Sequence, residues 1–446
     1  MYSYVPTTAA EREQMLSSIG LKSMDELYRD VPASLKLGRE LDLGKPMSEL
    51  ELVKLFADLT KCDAQSLPLF RGAGAYRRYI PSAIWQLLER GEFLTAYTPY
   101  QAEMSQGMLQ GLFEYQTMIC ELTGMEASNA SVYDGATAAA EAVTMCINAK
   151  RKHKMAYSAG LHPFVIATIK TYARFAKTQL MEIPINEAGV TDEAALKAAL
   201  DGCAGFIASQ PTFYGTLENM DALAALTHEA GALFVAHVDP TSLGLIKRPA
   251  EYGADIAVGD AQPLGMPIAF GGPYCGFMAS NQKLMRNLPG RIAGQTEDKD
   301  GNRAFVLTLQ AREQHIRREK ASSNICSNQM LCALAATMYL AFMGKAGLKE
   351  VAEQSVQKAH YLAEGLASVK GAKLRFPNTP FFDEFVISTD KCAIDVDKAL
   401  RAKGFIGGLP IVKLTGKPEG MLWCATERNS REELDAVICA FEEVVK

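Results

Sequence analysis

The chain reads as an α/β protein with a mostly parallel central sheet, preceded by a helical arm and followed by a smaller α+β unit. Three observations predict this. Capped helical units occupy residues 1 to about 60. From about 61 to 345, short apolar runs alternate with helical or glycine-rich segments. From 346 to 446, a long helical pattern leads into short strands and two amphipathic helices.

In the arm, "TAAEREQMLSSIG" offers a threonine cap, Ala and Glu in the first turn and a glycine stop. A second unit of the same kind, "SELELVKLFADLTKCD", follows Pro46. In the large α/β region the runs "FVIATIKTYAR", "AGFIASQ", "ALFVAHVDP" and "ADIAVGD" read as strands of a sheet covered on both faces. Ligands of such sheets sit beyond the carboxyl ends of the strands. The stretch "PGRIAGQTEDKDGNRAF" reads as a flexible, partly exposed loop. The C-terminal unit starts with "GLKEVAEQSVQKAHYLAEGLASV" and continues through "FDEFVIST", "AIDVDKALRAKGFIGG", "GMLWCAT" and "SREELDAVICAFEEVV".

A net charge of −5 over 446 residues gives no electrostatic reason to expect nucleic acid or an anionic membrane. No run of about 18 apolar residues suggests a membrane span, and the opening "MYSYVPTTAAEREQML" lacks the plan of a signal peptide, so a cytoplasmic protein is expected. The ten cysteines are scattered singly, with Cys326 and Cys332 the nearest pair and no C-x-x-C, which predicts reduced, mostly buried core thiols and no metal site.

Two features carry possible chemistry. Asp239 follows a buried run; a carboxylate there either holds a protonated ligand nitrogen or caps a turn. In "SVYDGATAAAEAV", the turn around Gly135 and Thr137 opens a helix whose free N–H groups suit a phosphate; alternatively Asp134 simply caps that helix. With the glycine-rich loop after the next strand, these parts form the frame of a pyridoxal-phosphate enzyme of the aspartate-aminotransferase type, type I. The frame needs a lysine near 260, and none occurs between Lys247 and Lys283.

The segments "FLTAYTPYQAEMSQGMLQGLFEYQTMICELTGME" (93–126), "DGATAAAEA" (134–142) and "REQHIRREKASSNICSNQ" (312–329) resemble the N-terminal half of the glycine-cleavage-system P protein. The arm, "AFGGPYCGF" and the length agree with the same family. That family exists as one long chain of two homologous halves or as two subunits, and its lysine lies in the second half. The resemblance therefore implies a separate first subunit in which Gln262 or Pro263 stands where the lysine would be.

It implies further that pyridoxal phosphate sits on a lysine-bearing second subunit, and that Asp239, Gly135 and Thr137 form a relic site. The complex would decarboxylate glycine and pass the aminomethyl group to lipoyl-lysine of the H protein, as an α2β2 heterotetramer. Tyr97, Thr98, Tyr100 and Gln101 in "TAYTPYQ" are expected to complete the partner's pocket. Arg312, His315 and Arg317 in "REQHIRREK" read either as a patch for a phosphate or acidic carrier, or as a solvated helix start. Two rival readings are a self-sufficient pyridoxal-phosphate lyase or transferase using Lys247, and a non-catalytic assembly or regulatory protein.

Overall fold

The computed structural model describes residues 4, 6–61, 67–418 and 420–446. The chain divides into two compact units, 1–63 and 64–446. In the first, the helices Ala9–Ser18 and Glu49–Thr60 each begin with a reciprocal cap, Thr8 with Glu11 and Ser48 with Glu51. Each cap satisfies two of the N–H groups that a helix start leaves free.

The second unit is built on a seven-stranded sheet of order β1-β7-β6-β5-β4-β2-β3. Its strands are β1 (Ala127–Ser128), β2 (Lys154–Ser158), β3 (Gln179–Ile183), β4 (Gly205–Gln210), β5 (Leu233–Val238), β6 (Ile256–Asp260) and β7 (Gly276–Ser280). Strands β2 to β6 run parallel, and β7 pairs antiparallel with β6 and with β1. Alternate residues serve opposite cores. Phe206, Phe234, Ala257 and Phe277 belong to one, and Ile207, Val235, Val258 and Met278 to the other. Burial on both faces explains why these strands read as continuous apolar runs.

Two readings are corrected. "FVIATIKTYAR" is not a strand but most of the helix Pro163–Phe175: Pro163 occupies the first turn, and Val165, Ile169 and Ala173 recur at four-residue spacing on its buried face. "PGRIAGQTEDKDGNRAF" is a hairpin rather than a flexible loop, with β8 (Ile292–Glu297) paired to β9 (Arg303–Thr308). Asp298 Oδ1 closes its turn by accepting from the N–H groups of Asp300 and Asn302 at 2.8 and 2.9 Å.

A four-stranded antiparallel sheet of order β10-β11-β13-β12 follows, comprising β10 (Ala372–Leu374), β11 (Glu384–Thr389), β12 (Leu409–Pro410) and β13 (Met421–Cys424). It packs through Phe385, Trp423 and Phe441. The helix Met330–Ala367 joins both cores, contributing Ala336 and Tyr339 to the first and Leu362 and Leu366 to the small sheet. By length and composition it alone, among the described residues, is apolar enough to cross a bilayer. It is broken at Gly344 (φ 58°, ψ −175°).

Two buried carboxylates make stability depend on pH. Burial pushes Glu141, which accepts from Ser323 Oγ at 2.9 Å, up to about 7, and likewise Glu218, held by Thr191. The folded chain therefore keeps protons that an unfolded glutamate has lost. The contribution of each of these two groups to the unfolding free energy should fall between about pH 5 and 7, by roughly 1 kcal/mol per pH unit, and level off above. Urea unfolding across this range should show a shallower slope for Glu141→Gln; an unchanged slope would place the proton elsewhere.

Candidate active site

Beyond the carboxyl ends of β4, β5 and β6 lies a cavity of about 70 Å³, lined by Tyr76, His162, His237, Asp239, Asp260 and Glu384 among others. Two segments shape it. The stretch 71–79 runs between the seven-stranded and four-stranded sheets, and the start of β11 brings Glu384 and the preceding Asp383 from the other side.

At its floor, Asp239 Oδ1 accepts from the N–H of Thr241 at 2.8 Å. Oδ2 has no hydrogen bond and lies 3.8 Å from Arg78 Nη2. Arg78 is 2% exposed and donates to Asp383 at 2.5 Å, Glu427 at 3.1 Å and Ser355 Oγ at 2.7 Å. Burial works against this guanidinium's charge, but Asp383, Glu427 and Asp239 more than reverse the effect. The carboxylates outnumber it, so burial raises Asp383 to about 7, and burial with the neighbouring Asp383 raises Glu384 to about 8. Glu384 accepts from the N–H of Ala73 at 2.6 Å and from Tyr76 OH at 2.8 Å.

The walls are uncharged imidazoles. The ring of His162 accepts from the N–H of Phe164 at Nδ1, which leaves Nε2–H to donate to the carbonyl of Ala73 at 3.0 Å. Burial depresses both His162 and His237 to about 4, so neither carries charge at neutral pH.

A pyridoxal phosphate does not fit these residues. The helix Gly135–Lys150 presents its N-terminus at β6, but Asp260 Oδ2 already accepts from the N–H of Gly135 at 2.9 Å, and Asp134 Oδ1 from Thr137 at 2.7 Å. Carboxylates of the chain itself thus occupy the positions a phosphate oxygen would take. A Cβ at Gly135 would come 2.9 Å from Asp260 Cβ, so glycine permits this close approach. Among the described residues no lysine lines the cavity either. Gln262 is fully buried and bonds both the N–H and carbonyl of Tyr76 at 2.8 and 2.9 Å, while Pro263 borders the cavity. Lys247 pairs with Asp221 at 2.9 Å on the surface and does not line the cavity. Cofactor sites usually span about 300–1,000 Å³, several times the space here.

The second set of expected residues lies elsewhere, and among the described residues no hydrogen bond or ring contact links it to this cavity. Tyr97 is 84% exposed and Tyr100 54%, with Thr98 half-buried, Pro99 buried and Gln101 exposed. Tyr100 accepts from Arg291 Nη2 at 2.9 Å and stands T-shaped to the His315 ring, with the ring centres 6.4 Å apart. Arg312 and Arg317 are turned to carbonyls of the chain, Arg312 to Leu309 and Gly290 and Arg317 to Ala311. Only His315 of that basic run approaches the tyrosine segment by a ring contact.

Sequence reasoning missed Arg78, Glu384 and Arg291. Asp260 had a readable signal, because it ends β6 as Asp239 follows β5. Among the described residues no cluster of three or more His, Cys, Asp or Glu suits a metal ion.

Comparison with known proteins gives a consistent result. Residues 2–441 match the family model described as the glycine cleavage system P-protein. A relative from Moorella thermoacetica, named probable glycine dehydrogenase (decarboxylating) subunit 1, is 50% identical over 99% of this chain and 100% of its own. One of the same name from Chlorobium chlorochromatii is 47% identical over 98% of each. A crystal structure of glycine decarboxylase (P-protein) in inhibitor-bound form superposes with a TM-score of 0.89, at 42% identity over 99% of this chain and 100% of that one. A sphingosine-1-phosphate lyase from Burkholderia pseudomallei, at 14% identity and TM-score 0.67 over 93% and 94% of the chains, shares the fold alone.

Proposed function

We infer the function of this chain from the premise that it belongs to the glycine cleavage system P-protein family. It has the type I pyridoxal-phosphate-enzyme fold and is a subunit of glycine dehydrogenase (decarboxylating), of the subunit 1 type. This subunit holds no cofactor and completes the site of a lysine-bearing second subunit, on which pyridoxal phosphate supplies the electron sink for decarboxylation. The aminomethyl group leaves on lipoyl-lysine of the H protein, and the working particle is an α2β2 heterotetramer in the cytoplasm.

One observation carries the division of labour. The chain keeps the frame of a cofactor site and fills it with its own side chains: Asp260 and Asp134 at the phosphate turn, Arg78 beside Asp239, and Gln262 locked to Tyr76. A frame closed in this way supports a scaffold and leaves the chemistry to the partner. What remains available is the exposed segment Tyr97, Thr98, Tyr100 and Gln101. Tyrosine suits a borrowed wall, since its ring excludes water while its hydroxyl orients an oxygen.

Tyr100 is the residue of that segment that the fold holds in place, so it carries the test. In the complex with the wild-type lysine-bearing subunit, Tyr100→Phe should preserve assembly and cofactor content while lowering turnover about tenfold, or about 1.4 kcal/mol. Tyr97→Phe should do less than Tyr100→Phe. Wild-type turnover in both variants would return the segment to a structural role.

A further inference from the structure

We propose that Arg291 is a positioning residue for the composite site, fixing the Tyr100 hydroxyl as an outward hydrogen-bond donor to an oxyanion of the bound substrate or cofactor. The inference rests on the reading that residues 95–101 border the partner's pocket.

The fold gives Arg291 an unusual setting. It is 2% exposed, yet among the described residues no carboxylate oxygen lies within 4.0 Å of its guanidinium, and its Nε has no hydrogen-bond partner. Burying such a charge without a counter-ion is costly, which makes a merely space-filling arginine a poor explanation. Its side chain is committed to one neighbour. Nη2 donates to Tyr100 OH at 2.9 Å, and the guanidinium carbon lies 4.9 Å from the centre of the same ring. Its backbone is anchored as well, because the Arg291 carbonyl accepts from the N–H of Ala130 at 2.8 Å.

A phenolic hydroxyl has one proton and accepts through its lone pairs. With a lone pair taken by Arg291, the O–H is directed away from the guanidinium, and the adjacent positive charge strengthens it as a donor. On its free side the only partner among the described residues is Cys326 Sγ at 3.9 Å, a weak one that an oxyanion would displace. Burial raises the Tyr100 phenol, so the group stays protonated at neutral pH. His315 stands T-shaped to the ring and is itself 3.5 Å from the buried Glu313, so the platform is braced from that side too. Tyr97 has no comparable support and is 84% exposed.

The oxyanion is a carboxylate if it belongs to glycine and a phosphate if it belongs to the partner's cofactor. A double-mutant cycle in the reconstituted complex tests the relay and separates these sources. Arg291→Gln in the Tyr100 background should lower kcat/KM five- to tenfold; in the Tyr100→Phe background the same change should cost less than twofold. A raised KM for glycine with unchanged cofactor affinity identifies the carboxylate, whereas weaker retention of pyridoxal phosphate on dialysis identifies the phosphate.

If Arg291→Gln costs the same factor in both backgrounds, or nothing in either, the relay is overturned. If Tyr100→Phe is itself silent, the placement of the segment falls with it. Should the glutamine variant fail to assemble, Arg291→Lys is put through the same cycle under the same criterion. It keeps a charged donor but cannot both stack on the ring and reach the hydroxyl as the guanidinium does.

Discussion

Replacing Arg78 by methionine should destabilise the large unit by about 3–5 kcal/mol, the largest stability effect expected of any single exchange in this chain. Three acids, Asp239, Asp383 and Glu427, meet around this one guanidinium, which bonds Asp383, Glu427 and Ser355, and Glu384 follows next to Asp383. Methionine fills much of the volume but leaves the carboxylates facing one another in a buried space. They can escape only by taking up protons. Asp383 and Glu384 already titrate at about 7 and about 8, above their ordinary range, and loss of Arg78 raises Asp383 further because a lowering influence is gone.

The sign follows from linkage. A folded-state pKa above the unfolded one stabilises at low pH and loses that contribution as pH rises through the folded value. The methionine variant should therefore approach wild-type stability near pH 5.5 and fall furthest below it near pH 8.5. Urea unfolding at both pH values checks this. A uniform deficit would show that lost packing, not charge, sets the cost. The cluster also ties the two sheets together, since Arg78 links the end of β5 to Asp383 and Glu427 of the C-terminal region.

Much of this architecture could be read from local pattern, and the limits have a physical cause. Asp239 was legible because an acid directly after a buried run marks a strand end at the ligand side of a parallel sheet. Gly135 was legible because a glycine turn before an alanine-rich helix signals a close approach, and that approach is to Asp260. The identity of the approaching group was not legible, since Asp260 lies 125 positions away. Arg78 shows the same limit more strongly, as its partners lie 305 and 349 positions along the chain. Nothing local distinguishes it from Arg77.

The helix Pro163–Phe175 was misread because apolar residues dominate its start, and a short apolar run does not reveal its period until neighbours fix the buried face. Tyr97 and Tyr100 could not be ranked from the sequence either. What separates them is Arg291, 191 positions from Tyr100.

On its own the chain should neither retain pyridoxal phosphate nor decarboxylate glycine, and restoring an amine should not change that. Gln262 is the obvious position for a lysine, yet its amide bonds Tyr76 N, Tyr76 O and Met266 O at 2.8, 2.9 and 2.8 Å in a fully buried setting. A lysine there can donate but not accept, so Tyr76 N–H loses its partner, at a cost of about 1–3 kcal/mol. Pro263→Lys places the amine at the cavity edge, but Asp260 and Asp134 still hold the N–H groups of Gly135 and Thr137, and Arg78 still stands beside Asp239. The cavity would also have to grow from about 70 Å³ to several times that volume. Catalysis demands reacting groups placed within a fraction of an ångström, and an amine added to a closed frame does not meet that condition. The purified chain, with or without Gln262→Lys or Pro263→Lys, should therefore show no visible absorption and no borohydride-trapped cofactor after incubation with pyridoxal phosphate. Its glycine-dependent carbon dioxide exchange should stay below about a hundredth of that of the complex with the lysine-bearing subunit. Stoichiometric cofactor on the isolated wild-type chain would overturn the assignment of the chemistry to the partner, and trapping in a lysine variant alone would show that the amine was the only missing part.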